Sequence, residues 1–388
     1  MPEVFLWSRL AIWGAALFAL LAFEPNRHPR ADVWDGPRLH DLGYLTDVWA
    51  RWDSGWFIGI AQHGYGFAKE ASAFFPGYPL VVAGIGRAFF GHYVLAGLLV
   101  SLACCAVAFV LLHRLAEERL GADGARRAVI YLAVFPMAFF LQAVYSESLY
   151  LVLVLSAFLL AERARWDAAW AVTALAVLTR LVGFALLPAL AVMAWRSPDR
   201  ARAFRALPVV PVAFAAFPIV LWRKTGDAWG FLHSQDLWHR HVSYAGPFGG
   251  LWKGTRAGAV GLVHVLSRQP AHRYGTAQGP DYWLRLDGLN VQAFLFLVLF
   301  LVLTVIAWRR FGAPYGLFAA ASLALPLSAP ANKVPLLSLP RFGLVIFPLF
   351  LALAAVGGRP RLHTTILAVS ALLLGVGVVQ WSLWQWVA

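Results

Sequence analysis

Charged residues are scarce in this 388-residue chain. They make up 13% of the sequence, whereas hydrophobic residues make up 61%. Repeated apolar runs near membrane-spanning length leave too little polar surface to face water, which excludes a soluble globular protein. The sequence therefore predicts an all-α polytopic membrane protein, formed as a single domain over residues 1–388.

Several motifs are also absent. The two cysteines, Cys104 and Cys105, are adjacent within an apolar run, so they cannot crosslink the polar loops. The chain has no Gly-x-x-x-x-Gly-Lys phosphate loop and no Asp-x-Asp pair, the motifs typical of bound ATP and of a metal-chelated nucleotide sugar. We therefore expect no cofactor and no metal.

The apolar runs predict about 11 membrane-spanning helices. The first run, from Val4 to Phe23, has no small-residue cleavage site after it, so we interpret it as a retained helix and not a signal peptide. The predicted spans are 4–23, 95–112, 128–145, 147–161, 167–180, 181–195, 206–222, 288–307, 313–329, 341–357 and 364–382.

The positions of the arginines predict the orientation of these spans. The net charge is +13, but the basic residues concentrate in short loops between spans, which favours membrane topology over nucleic-acid binding. If the proline- and glycine-containing segment 74–90 does not cross the membrane, these loops all lie on the same side of it, which is then the cytoplasmic side. The N-terminus is then cytoplasmic, 74–90 is interfacial or re-entrant, and the loops 24–94 and 223–287 are extracytoplasmic.

The first outer loop holds a disproportionate share of the acidic residues. Of the 19 in the chain, seven lie between positions 24 and 73: Glu24, Asp32, Asp35, Asp41, Asp47, Asp53 and Glu70. Asp53 lies between two tryptophans in the run Arg51-Trp52-Asp53-Ser54-Gly55-Trp56, and it is our candidate catalyst. The simpler interpretation is that Asp53 caps a helix or pairs with Arg51.

The motifs of this loop resemble the signature of the PIG-V family of mannosyltransferases, which act in glycosylphosphatidylinositol assembly, and of their bacterial relatives. The matching runs are 51–57 (RWDSGWF), 60–65 (IAQHGY), 73–80 (AFFPGYPL), 145–150 (YSESLY), 178–180 (LTR) followed by Gly183, and 339–342 (LPRF) before Phe347-Pro348. The resemblance implies a GT-C glycosyltransferase with a large first extracytoplasmic loop.

The resemblance also implies a mechanism. A GT-C enzyme of this family takes a sugar from a polyprenyl-phosphate donor, uses an essential acidic residue in the first outer loop, and requires no metal; here the matching residue is Asp53. Transfer to an acceptor hydroxyl with inversion needs one carboxylate as general base, together with cations for the developing phosphate charge. The expected sugar is mannose, the expected acceptor is a lipid or glycan, and the alanine- and arginine-rich composition favours a bacterial inner membrane.

The remaining candidates are assigned to substrate or donor binding, and most have structural alternatives. Glu147 starts a span and could act only as a helix cap. Arg180 could bind a phosphate, pair with Glu147 or extend to the interface, and Arg341 could be an interfacial anchor. The histidines of the second outer loop favour a surface role over a metal site. The candidate binding residues are Arg51, Trp52, Trp56, His63, Tyr78, Glu147, Arg180 and Arg341.

Two other functional classes compete with a glycosyltransferase. A polytopic lipid or glycolipid transporter or flippase would show ionisable residues at midspan and pseudo-symmetric halves with paired broken helices. A structural membrane protein would not require an aspartate-rich first loop. The sequence shows neither transporter feature clearly, which favours the transferase.

Overall fold

The computed structural model describes residues 1–25, 39–267 and 280–387, with side chains described from 286 onward in the last range. Asp32 and Asp35 of the first outer loop lie outside the described residues. The described residues form helices and no β-strand: α1 Pro2–Ala22, α2 Tyr44–Asp47, α3 Ser54–His63, α4 Gly77–Ala88, α5 Tyr93–Val134, α6 Glu147–Glu162, α7 Trp166–Thr179, α8 Leu186–Trp195, α9 Arg200–Phe204, α10 Val209–Thr225, α11 Gly230–His233, α12 Pro247–Ser267, α13 Pro280–Phe311, α14 Ala313–Leu327, α15 Leu339–Gly343, α16 Phe347–Val356 and α17 Pro360–Ser382. The predicted all-α class is confirmed.

Five helical segments of the described chain are long and apolar enough to cross a membrane: Pro2–Ala22, Tyr93–Val134, Arg200–Thr225, Leu286–Phe311 and Pro360–Ser382. Shorter apolar helices pack among them at 166–179, 181–195, 313–327 and 347–356. On α1, Trp7, Phe18 and Leu21 point outward and are more than half exposed, as expected for a helix that contacts lipid and not water. The protein is an integral membrane protein, and the exact count of 11 spans stays a prediction.

Helix α5 and the segment after it differ from the predicted spans. The predicted spans 95–112 and 128–145 are joined within α5, with a kink at Gly121, whose φ is +68°. The helix ends at Val134, because Pro136 restricts the preceding Phe135 to an extended conformation (φ −54°, ψ 141°). Residues 135–146 are therefore largely irregular, apart from a short 3₁₀ turn at Ala138–Leu141.

Arg9 of α1 donates hydrogen bonds to backbone carbonyls at and just after the end of α5. Its buried guanidinium donates hydrogen bonds to the carbonyls of Ala133 and Ala138, at 3.2 and 3.0 Å. An irregular backbone inside an apolar bundle is tolerated only where its polar groups find partners. Arg9 supplies those partners and holds the segment 135–146 in place.

The segment 74–90 forms α4, whose 12 residues span only about 18 Å at the helical rise. That length is short of the roughly 30 Å of a bilayer core. It supports the interfacial or re-entrant interpretation, which stays a prediction. The buried hydroxyl of Tyr78 donates to the carbonyl of Gly97 at 2.9 Å and joins α4 to α5.

The predicted outer loop 223–287, which we call the second outer segment after its predicted position, contains a helix that the sequence did not indicate. Helix α12 covers 21 residues within the predicted loop 223–287. Its buried glycines lie at positions 250, 254, 258 and 261, where a Cβ would collide with Leu327, Leu336, Phe294 and Asp287 respectively. Small residues at this spacing let helix backbones approach closely, so α12 packs against α13 and the end of α14 instead of forming a loose loop.

Candidate active site

Asp53 lies immediately before α3, but it does not cap that helix. Its side chain makes no capping hydrogen bond, and its Oδ2 accepts a hydrogen bond from Arg341 Nη1 at 2.8 Å instead. The preceding Trp52 adopts a left-handed conformation (φ +55°), which turns the chain sharply before Asp53. The helix-cap alternative is therefore wrong for Asp53, and its role as the catalyst stays a prediction.

Tyr145 fixes the backbone around Asp53. Its hydroxyl accepts a hydrogen bond from the Asp53 amide at 3.1 Å and donates one to the carbonyl of Arg51 at 3.1 Å. The amide of Val144 donates to the carbonyl of Trp49 at 2.9 Å. The irregular segment 135–146 thus positions the loop that carries Asp53, which joins two of the motifs found in the sequence.

Four ionisable side chains meet beside this loop, and we call them the charge cluster: Asp53, Glu147, Arg180 and Arg341. Oε1 of Glu147 lies 2.9 Å from Arg180 Nη1 and 3.1 Å from Arg341 Nε. Glu147 is fully buried, whereas the side chain of Asp53 retains 16% exposure. Arg341 bridges the two carboxylates, so the candidate base and the buried glutamate are coupled through one guanidinium.

A cavity of about 600 Å³ opens beside the charge cluster. Asp53, Arg180 and Arg341 line it, together with Arg240 from the second outer segment. Other parts of its wall are apolar, formed by Leu181, Val182, Leu325, Pro326, Phe342 and Val345. A cavity with a charged region and apolar walls suits an amphipathic ligand with an anionic group.

Arg240 was not among the candidate site residues. Its guanidinium donates to the carbonyls of Ala329 and Leu337 and lies 5.5 Å from the centre of the Phe342 ring. Burial and the nearby charge of Arg341 lower the pKa of Arg240 to about 10, so it stays cationic at neutral pH. No local sequence signal marks this residue, because both carbonyl partners are about 90 residues away along the chain.

The other predicted binding residues do not all line the cavity. Trp56 is buried and stacks on Phe74, with ring centres 5.6 Å apart. Tyr78 is buried between α4 and α5, and His63 is exposed at the end of α3. The structure places these three in or beside the scaffold of the motif, not at the cavity wall.

Arg51 and Trp52 form an aromatic group on another side of Asp53. The Arg51 guanidinium lies 4.0 Å from the centre of the Trp384 ring, and Trp52 contacts Trp384 and Trp386 edge to face. A second gap of about 10 Å³, large enough for roughly one water, adjoins Trp52, Asp53 and Trp386. Asp53 thus lies between the large cavity and this aromatic wall.

The histidines of the second outer segment do not converge. His233 pairs with Asp227 at 2.8 Å, and His241 pairs with Asp236 at 3.2 Å. The hydrogen bond from His233 lowers the pKa of the Asp227 carboxyl. Among the residues with described side chains, no group of three histidine, cysteine or acidic residues is placed to hold a metal ion.

Part of the chain is similar in sequence to known mannosyltransferases. Residues 40–197 match the family model Mannosyltransferase (PIG-V), a range that contains Asp53, Glu147 and Arg180 but not Arg240 or Arg341. GPI alpha-1,6-mannosyltransferase 2 of Rattus norvegicus is 33% identical over 188 residues, which are 43% of this chain and 37% of the rat protein. The Homo sapiens protein of the same name is 32% identical over 162 residues, 37% of this chain and 32% of that protein. The matches thus span about a third of the length of these relatives.

One solved structure shares the fold of nearly the whole chain. ArnT from Cupriavidus metallidurans, bound to undecaprenyl phosphate, matches 97% of this chain and 64% of its own with a TM-score of 0.50 and 16% identity. This likeness confirms the predicted GT-C-type membrane fold. The predicted resemblance to PIG-V mannosyltransferases is confirmed as well, so the chain is mannosyltransferase-like in sequence and GT-C-like in fold.

Proposed function

Since residues 40–197 match the family model Mannosyltransferase (PIG-V), we propose that the protein is a membrane mannosyltransferase that uses a polyprenyl-phosphate-linked donor. It transfers the sugar, with inversion, to a hydroxyl of a lipid or glycan acceptor. The observation that carries the proposal is the position of Asp53 in an arginine-lined region of a partly apolar cavity. The relatives named above, GPI alpha-1,6-mannosyltransferases, support mannose as the sugar.

Asp53 is the general base of this proposal. Its Oδ2 is held by Arg341, while Oδ1 has no hydrogen-bond partner among the described residues and is available for a proton. The acceptor hydroxyl gives its proton to Asp53, and its oxygen bonds to the anomeric carbon. The bond from that carbon to the phosphate oxygen breaks, and the electron pair stays on the phosphate.

The arginines stabilise the phosphate that leaves. Arg180 and Arg341 line the same cavity as Asp53, and a guanidinium binds phosphate through two parallel hydrogen bonds. Fixed cations placed where negative charge develops lower the barrier without reorganisation. The apolar walls accommodate polyprenyl carbons, and ArnT, which shares the fold, binds undecaprenyl phosphate.

A transfer assay separates this proposal from a lipid transporter. Purified protein is supplied with polyprenyl-phosphate carrying radiolabelled mannose and with membrane lipids of its source as acceptors. We expect label to move into a new glycosidic product and free polyprenyl phosphate to appear. A lipid transporter would leave the donor chemically intact, so an unchanged donor in the presence of a range of acceptors would reject the transferase.

We further propose that the site faces the extracytoplasmic side of a bacterial inner membrane, with the N-terminus in the cytoplasm. In a background with Cys104 and Cys105 replaced by alanine, Tyr244→Cys should react with a membrane-impermeant maleimide in intact spheroplasts, because Tyr244 is fully exposed on the second outer segment. Ser197→Cys, in an arginine-rich loop, should react only after permeabilisation. Labelling of Ser197→Cys in intact spheroplasts would overturn this orientation.

A further inference from the structure

We propose that Arg240 is the principal binding residue for the lipid phosphate, which neither the family match nor the motifs assign. This inference rests on the proposed function, because it names the residue of the same cavity that holds the donor. It concerns one chemical class of ligand, a phosphate ester on an apolar chain.

The charges of the cluster balance without Arg240. Arg341 pairs with Asp53 at 2.8 Å, and Arg180 pairs with Glu147 at 2.9 Å. These two arginines therefore already have carboxylate partners within the protein. A phosphate that binds to them alone must compete with those carboxylates.

Arg240 has no such partner. Within the described part of the chain no carboxylate lies at ion-pair distance from it, and its protein hydrogen bonds go to the carbonyls of Ala329 and Leu337. Carbonyl groups orient a guanidinium but do not neutralise its charge. The charge of Asp53 acts on Arg240 only from beyond ion-pair distance. A partly buried cation without a direct ionic partner is costly, and an anionic ligand in the adjoining cavity lowers that cost.

The position of Arg240 suits this role. Three guanidinium groups surround the Phe342 ring. Their central carbons lie 5.9 Å (Arg180), 5.5 Å (Arg240) and 5.5 Å (Arg341) from the centre of the ring. All three arginines line the same cavity. Asp236 also lines the cavity, but it pairs with His241 at 3.2 Å. Next to the Phe342 ring, the three arginines and the two carboxylates Asp53 and Glu147 leave one net positive charge, which matches the single negative charge of a phosphodiester donor.

The binding of undecaprenyl phosphate tests this inference without catalysis. Its dissociation constant is measured for the wild type, Arg240→Gln and Arg256→Gln in neutral-lipid nanodiscs. Arg256 is the matched control, an exposed arginine on α12 of the same outer segment. We expect Arg240→Gln to weaken binding at least about tenfold, the loss typical of a charge-assisted hydrogen bond, and Arg256→Gln to leave it unchanged.

The same binding measurement with other ligands identifies the chemical group that is recognised. Undecaprenol, which has no phosphate, should not bind measurably, and millimolar inorganic phosphate should compete only weakly because it lacks the apolar chain. Phosphatidylglycerol in excess should not displace undecaprenyl phosphate. Displacement by phosphatidylglycerol in proportion to its concentration would mark a general anionic-lipid surface and reject the proposed site.

Arg240→Lys separates charge from folding. It keeps the positive charge, so it should recover most of the affinity lost in Arg240→Gln, and the melting temperatures of the two variants should match the wild type. The inference would be overturned if Arg240→Gln bound the lipid as tightly as the wild type. It would also be overturned if Arg240→Lys bound as weakly as Arg240→Gln. Neither result would contradict the proposed transfer reaction. A wild type that binds no undecaprenyl phosphate would instead contradict the proposed function.

Discussion

Asp53→Asn should lower the turnover number by about 10²–10⁴, the usual cost of losing a general base. Asparagine keeps the shape of the side chain but cannot accept the proton of the acceptor hydroxyl. Asp53→Glu moves the carboxylate by one methylene, and a misplacement of that size costs on the order of 10². Turnover and melting temperature are measured on the same purified samples.

The binding of undecaprenyl phosphate distinguishes a lost base from a damaged fold. Because Asp53 pairs with Arg341 at 2.8 Å, its neutralisation frees that guanidinium, so Asp53→Asn should bind the lipid phosphate at least as tightly as the wild type. Asp227→Asn, at an exposed carboxylate of the second outer segment, is the control and should retain turnover. Near-normal transfer by Asp53→Asn would reject Asp53 as the base.

Glu147→Ala should destabilise the protein by about 3–5 kcal/mol, the range expected when one partner of a buried ion pair is removed. Glu147 is fully buried and lies within 3.1 Å of both Arg180 and Arg341, so its loss leaves two guanidinium groups without their shared counter-charge. The measurement is the free energy of unfolding in detergent. Glu118→Ala, at an exposed acid in a surface ion pair, is the control and should stay within about 0.5 kcal/mol of the wild type.

A double-mutant cycle tests whether this loss comes from the ion pair. If it does, Arg180→Gln should cost less in a Glu147→Ala background than in the wild type, because the pair is already broken. Strictly additive losses would show that Glu147 stabilises the fold by packing alone. In that case its place in the charge cluster would have no energetic consequence.

The helices were predictable wherever hydrophobicity alone decides the structure. The runs at 147–161, 167–180 and 364–382 correspond closely to α6, α7 and α17. Local breaks were harder to place. The end of α5 depends on Pro136 together with Arg9, which lies more than 120 residues away along the chain. Helix α12 was missed because its glycines have a low helix propensity, although they allow close helix packing.

The site was predictable only in part, for a physical reason. The motif pointed to Asp53, and the structure brings Glu147, Arg180 and Arg341 to it. The same motif includes residues that shape the loop: Tyr78 bonds to α5 and Trp56 packs on Phe74. The motif does not distinguish residues needed for the shape of the loop from residues needed for the chemistry. Arg240 lies outside the motif, and its partners are distant along the chain.

The most direct test of the account is the stereochemistry of transfer. Purified protein is supplied with polyprenyl phosphate carrying β-linked mannose, and the anomeric configuration of the product is read from its one-bond carbon–hydrogen coupling by nuclear magnetic resonance. Direct displacement of a lipid phosphate with one carboxylate as base predicts an α-linked product and an equal amount of free polyprenyl phosphate. A β-linked product would require a second displacement step and would contradict the role of Asp53 as a base.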